Sequence, residues 1–303
     1  MNLKTIQSGI YGLIIGDALG VPVEFYTRNE LLKDPVTDMR EYGTWQQPRG
    51  TWSDDSSMTL ATIDSINNNH GEINLNHMMK NYVRWMLNGD YTQSGDIPFD
   101  VGTTTSQAIS NYINTGNINT CGLSGEYNNG NGSLMRILPL AFLDCTYDVV
   151  EKVSGLTHNH IRSKIACNLY VEIAKQILNG GEDTFCDYVS KASENIINHY
   201  RNEPELDYFH RIFNRDYEDG VTGKIHVVDT LETAIYSIRV AEDYKSSLLT
   251  AVNIGNDTDT VCAVCGGLAG LYYGYDDIPT EWLNNIWNKN IVDDLLDKFY
   301  DVI

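Results

Sequence analysis

Apolar residues recur along this chain at helical spacing and almost nowhere in strict alternation. Ile161, Ile165, Leu169, Ile173 and Ile177 repeat every four residues. Ile6, Ile10, Leu13 and Ile14 form a stripe before Gly16, and Leu75, Met78, Met79, Tyr82, Val83 and Met86 form another. A helix starts near Asp55, and others are predicted near 104–114, 133–143, 184–199, 229–241, 246–252, 259–273, 279–289 and 291–302. Only Lys224 to Val228 hints at a strand. Helices with short connections and no strands to alternate with predict an all-α fold. No Pro/Ser-rich linker divides the 303 residues, so a single domain over 1–303 is expected, with the charged stretch 201–223 as a surface insertion.

With 21 basic against 41 acidic residues, the net charge is −20, which repels nucleic-acid and membrane phosphates. Neither nucleic acid nor a membrane is therefore expected as a partner. The apolar run Ile10–Ile15 is broken by Asp17 and reads as a first core helix, not a signal peptide. A cytoplasmic location is expected. Cys262 and Cys265 form a C-x-x-C without a second pair or a thioredoxin-like context, and they read as small core hydrophobes.

Two motifs can carry chemistry. In Ser53-Asp54-Asp55-Ser56-Ser57 an irregular loop enters an apolar helix. A cap needs one such side chain, whereas two adjacent carboxylates repel unless a cation or proton intervenes. In Asn256-Asp257-Thr258-Asp259-Thr260 the following helix, Val261 to Gly270, is apolar on nearly every face and should lie at the centre of the bundle. Buried carboxylates must be paired or metal-bound. Asp257, Asp259 and Thr260 offer hard oxygen ligands without thiolate or imidazole, which suits Mg²⁺ or Mn²⁺ over zinc. Singly, the first motif reads more simply as a cap, and the second is balanced between cap and metal site. Together they could hold two hard cations.

The order of motifs resembles the ADP-ribosylglycohydrolases, the group that includes the dinitrogenase-reductase-activating glycohydrolase. Gly16-Asp17-Ala18-Leu19-Gly20 with Glu24 comes first, then Ser53-Asp54-Asp55-Ser56. Asp100-Val101-Gly102-Thr103-Thr104 and Gly130-Asn131-Gly132-Ser133 with Met135, Arg136 and Pro139 follow. Thr157-His158, Asp257-Thr258-Asp259-Thr260 and Ile278-Pro279 with Trp282 complete the series. The resemblance implies a compact orthogonal multi-helix bundle with two Mg²⁺ or Mn²⁺ ions. By position their ligands would be Ser53, Asp54, Asp55, Asp257, Asp259 and Thr260. Ser stands at 53 and 56 where the family has Thr, and Asn256 replaces a commoner Gly but tolerates left-handed backbone.

The resemblance also implies an ADP-ribose site formed by Asp100, Gly102, Thr103, Asn131, Gly132, Ser133, Met135 and His158. The Gly130–Ser133 turn is expected to open a helix at Leu134 and to present N–H groups to a pyrophosphate. Arg136 could grip a phosphate or anchor helices. Asp17 is expected to bond backbone or a neighbouring helix. Pro22 breaks the first helix and puts Glu24 near the cleft. Glu24, or a metal-bound carboxylate from Asp55 or Asp259, is the expected proton-handling group. The predicted activity is hydrolysis of an ADP-ribosyl bond, preferentially to arginine, on a modified protein or a small ADP-ribosyl substrate. An ADP-ribose-binding or toxin-immunity module and a two-metal phosphohydrolase are the alternatives.

Overall fold

A computed structural model describes residues 1–217 and 220–303. Among them there is no strand, and fourteen α-helices form the expected all-α bundle. In chain order they are α1 (Leu3–Gly20), α2 (Arg28–Lys33), α3 (Asp54–Asn68), α4 (Leu75–Asn88), α5 (Thr103–Thr115), α6 (Tyr147–Gly155) and α7 (Ile161–Asn179). There follow α8 (Phe185–His199), α9 (His210–Asn214), α10 (Val227–Arg239), α11 (Tyr244–Val252), α12 (Thr258–Tyr273), α13 (Thr280–Asn285) and α14 (Asn290–Val302).

The centre of the bundle is the pair α1 and α12, whose backbones meet through glycine. A Cβ on Gly12 would lie 2.3 Å from the Gly266 carbonyl oxygen, and one on Gly16 would lie 2.0 Å from that of Cys262. Glycine is needed at both because the facing atoms are main chain and cannot rotate away. Thr258 Oγ1 donates to the Gly20 carbonyl at 2.8 Å, so the end of α1 is tied to the start of α12. This contact brings Asp17 and Asp259 into one neighbourhood. Segment Leu3–Val23 is long and apolar enough by composition to cross a membrane, but 94% of its apolar window is buried inside the fold, where it serves as core. Cys262 and Cys265 are likewise buried and unpaired.

Gly16→Ala is expected to cost about 1–3 kcal/mol through overpacking. Gly181→Ala, at a position where a Cβ meets nothing within 4 Å, should shift stability little. Urea unfolding of the two variants checks this, and equal midpoints would contradict the close α1–α12 approach.

Three expected helices or strands need correction. Residues 133–143 are not an α-helix: turns lead into a 3₁₀ helix, Leu138–Phe142. Pro139 has no N–H to continue an α-helical ladder. Lys224–Val228 is no strand; Gly130 and His226 make only an isolated bridge. Within the stretch 201–223, Phe209 and Ile212 are buried in the main core. Its Glu218 and Asp219 lie outside the described residues. The helix expected over 279–289 ends at Asn285, where Ile286 turns extended.

Candidate active site

The site is built on the N-termini of α3 and α12. Asp17, fully buried on α1, accepts from Ser53 N at 2.9 Å, Ser56 N at 3.0 Å and Ser56 Oγ at 2.5 Å. A carboxylate from one helix thus caps the first turn of another, where free N–H groups and the helix dipole favour negative charge. Ser53 Oγ in turn donates to Asp55 Oδ2 at 2.9 Å, and Thr260 Oγ1 reaches the same oxygen at 3.5 Å. Asn131 Nδ2 donates to Asp257 Oδ2 at 2.6 Å and to Thr230 Oγ1 at 2.9 Å.

Asp17, Asp55 and Asp259 each bring a carboxylate oxygen within 4.8 Å of the others, and so do Glu24, Asp257 and Asp259. The two groups share Asp259. None of the ion pairs among the described residues involves these carboxylates. Burial, then the mutual repulsion of like charges, pushes Asp54, Asp55 and Asp259 well above the usual carboxylate range. Burial and Asp100 push Glu24 up to about 9, and burial pushes Asp100 up to about 6. Asp55 Oδ1 and Asp259 Oδ2 are buried with no hydrogen-bond partner. Orphaned anionic oxygens in such a cluster are costly, and hard divalent cations satisfy them. These residues therefore could bind metal ions, and they fit two hard cations.

Beside the cluster opens a cleft of about 790 Å³. Glu24, Asp54, Asp100, Gly102, Thr103, Asn131, Gly132, Met135, His158, Asp257 and Thr260 all line it. Asp55 and Asp259 lie fully buried beneath it. Ser53 also borders a separate, smaller cavity, while its hydroxyl stays on Asp55. One expected residue turns elsewhere: the Ser133 hydroxyl points into the core, where it accepts from Ser154 Oγ at 2.9 Å.

In the Gly130–Ser133 turn, Gly132 is required by His158. A Cβ on Gly132 would lie 2.8 Å from His158 Cε1. No α-helix follows this turn, and Asn131 N–H is already bonded to the Ile225 carbonyl at 3.1 Å. Among the described residues, Gly132 N–H and Ser133 N–H find no main-chain acceptor. Arg136 is fully buried: it donates to Tyr82 Oη at 3.1 Å and Thr157 Oγ1 at 2.7 Å, and lies over the Tyr82 ring. It anchors the turn and touches no cleft. Burial and Arg136 together lower His158 to about 3, so its imidazole is neutral.

Residues 3–303 match the family profile described as ADP-ribosylglycohydrolase. The chain belongs to the ADP-ribosylglycohydrolase family. Among related glycohydrolases, the ADP-ribosyl-[dinitrogen reductase] glycohydrolase of Rhodospirillum rubrum is 31% identical over 91% of this chain and 87% of its own length. The ADP-ribosylarginine hydrolase Tri1 of Serratia proteamaculans is 27% identical over 99% of this chain and 80% of its own. A solved chain described as "ADP-ribosylglycohydrolase-related protein complex" superposes with a TM-score of 0.80 at 25% identity, covering 99% of this chain and 98% of that one.

Asp17 belongs to the acidic cluster by geometry, and sequence reasoning gave it only a bonding role. Its signal was there: a lone carboxylate within the otherwise apolar stretch Ile10–Leu19. Trp45, Tyr127, Lys224 and His226 were also missed. Trp45 contacts Glu24, and the other three line the cleft, but none stands in a recognisable pattern. The third acidic group, Glu126, His160 and Glu205, is occupied by Arg162, whose Nη2 lies 3.1 Å from Glu126 and 2.6 Å from Glu205.

Proposed function

We propose that this protein hydrolyses the bond between ADP-ribose and a modified arginine side chain, using two Mg²⁺ or Mn²⁺ ions. The observation that carries this reading is the pair of orphaned oxygens, Asp55 Oδ1 and Asp259 Oδ2, beneath a cleft large enough for a nucleotide-sized ligand. Family membership and the names of the relatives support the substrate class. Asp17, Asp55, Asp257 and Asp259 would hold the cations, with Ser53, Asp54 and Thr260 beside them. Bound there, the cations supply Lewis acidity and a nucleophilic water at neutral pH.

The chain's own groups do the rest. Gly132 N–H, on the cleft wall, is a donor for the pyrophosphate, with no help from a helix dipole. Thr157 Oγ1 accepts from Arg136 and lies 2.8 Å from His158 Nδ1. When that hydroxyl donates to Nδ1, the imidazole proton sits on Nε2, which makes His158 a neutral donor on the cleft wall. Asp100, Gly102, Thr103 and Met135 shape the ribose side. Glu24, whose carboxyl can hold and release a proton near neutral pH, handles the proton of the attacking water or of the leaving nitrogen. The cysteines described as free fit a reducing compartment such as the cytoplasm.

The leaving group should feel the charge of the cleft. Asp54, Asp100, Glu126 and Asp257 line it, against Arg162 and Lys224. A cationic guanidinium gains from that balance and a serine hydroxyl does not. Arginine-linked ADP-ribose is therefore expected to be cleaved faster than serine-linked, with the preference shrinking as salt screens the acidic rim. Initial rates on both substrates across an ionic-strength series check this. Faster release from the serine-linked peptide at low salt would overturn the arginine assignment.

A further inference from the structure

The irregular stretch 34–52 has no part in the chemistry described so far, yet its middle lies against Glu24. Gly43 passes so close to Pro22 that a Cβ there would lie 1.7 Å from the Pro22 carbonyl oxygen. Thr44 N donates to that same oxygen at 3.0 Å, and Thr44 Oγ1 donates to the Glu24 carbonyl at 2.7 Å. Trp45 Nε1 donates to Glu24 Oε2. The Trp45 ring meets Phe25 edge-on at 6.2 Å between centroids, and Phe99 at 5.5 Å.

The flanking backbone is unusual on both sides of this indole. Phe25, next to Glu24, has φ +67°, and Asp100, next to Phe99, has φ +54°. Left-handed backbone at a bulky residue is strained and persists only where the surroundings enforce it. Here they do: Phe25 N donates to the Asn256 carbonyl at 2.6 Å, and Asn256 N donates to the Tyr26 carbonyl at 2.8 Å. The loop carrying Glu24 is thus bonded to the loop carrying Asp257. The Glu24 carboxyl lies in the acidic cluster with Asp257 and Asp259. The indole N–H is a neutral donor that fixes one of its oxygens. It occupies Oε2 and leaves Oε1 for the cleft.

We propose that Trp45 is a positioning residue that acts through Glu24. It pins one carboxylate oxygen over the acidic cluster, while its ring, wedged between Phe25 and Phe99, sets the spacing between Glu24 and Asp100. This rests on the proton-handling role proposed for Glu24 above. A misplaced catalytic group costs turnover before it costs binding.

Two measurements test it. In the first, Trp45→Phe keeps a ring in the stack and removes the donor. It should lower kcat on arginine-linked ADP-ribose about 10-fold with KM within about twofold. In a Glu24→Gln background the same change should cost nothing further, because the proton-handling carboxyl that it positions is gone. Unchanged kcat in Trp45→Phe, or an equal loss in both backgrounds, would overturn the proposal. The second measurement does not use activity. The ¹⁵N-labelled indole resonance of Trp45, identified by its absence in Trp45→Phe, should shift in Glu24→Gln more than the other indole resonances do. A resonance that stays put would overturn the contact. A wild-type protein that cleaves nothing, yet shows this shift, would support the contact while removing the hydrolase reading beneath it.

Discussion

Replacing Glu24 by Gln is expected to slow hydrolysis of arginine-linked ADP-ribose by ~10²–10⁴ while ADP-ribose still binds. The carboxyl group is nearly buried, at 3% exposure, and burial together with Asp100 raises it to about 9. A group held in this range keeps a proton at neutral pH and can yield it when the charge around it changes. Gln preserves the volume and still offers Trp45 an acceptor oxygen, so the substitution removes proton capacity and little else. Steady-state kinetics with calorimetric ADP-ribose binding separates the two effects. A Glu24→Gln enzyme of full activity would remove Glu24 from the mechanism.

The second large effect concerns the cations. Added Mg²⁺ or Mn²⁺ at ~100 times its Kd should stabilise the fold by ~2.7 kcal/mol, and Asp257→Asn/Asp259→Asn should lose both the stabilisation and turnover. Without cations the pH dependence has a defined sign. Asp17 and Asp100 rise to about 6 and Glu24 to about 9, above their values in an unfolded chain. The folded state then binds more protons than the unfolded state, and stability falls as pH increases. The stabilisation these protons give is fully present below about pH 4, where the unfolded chain's carboxyls also titrate, and is lost as pH rises through about 6 and then about 9. Thermal melts at pH 5 and pH 8 with chelator should show the loss, and cations should narrow it. Equal melts with and without chelator at both pH values would speak against a metal site.

The fold class was legible because helical periodicity is local: the stripe on α7 needs no partner to be read. The centre of the bundle was legible too, since a helix apolar on every face has nowhere else to go. What failed was the segment after Gly132, where Leu134-Met135-Arg136-Ile137 has helical composition but Pro139 ends any ladder at once. The chemical core shows the same division. The Asp pairs at 54–55 and 257–259 sit at helix starts, a pattern visible in one dimension. Asp17 and Trp45 enter the site through contacts that span 36 residues for Asp17 with Ser53 and 21 for Trp45 with Glu24; a lone carboxylate in an apolar stretch marks the first, and no local pattern marks the second. Ser133 carries the opposite lesson: it lies within a binding motif, yet its hydroxyl faces the core.

Incubation of ADP-ribosyl-arginine with the wild-type protein, in Mg²⁺, in Mn²⁺ and with chelator, shows whether this acidic cleft cleaves an ADP-ribosyl bond. Free arginine and intact ADP-ribose are expected in equal amounts with either cation, none with chelator, and none from Asp257→Asn/Asp259→Asn. Phosphate or AMP as the product would instead assign a phosphohydrolase. Tight binding of ADP-ribose with no arginine released under any of these conditions would contradict an enzyme and leave a binding module.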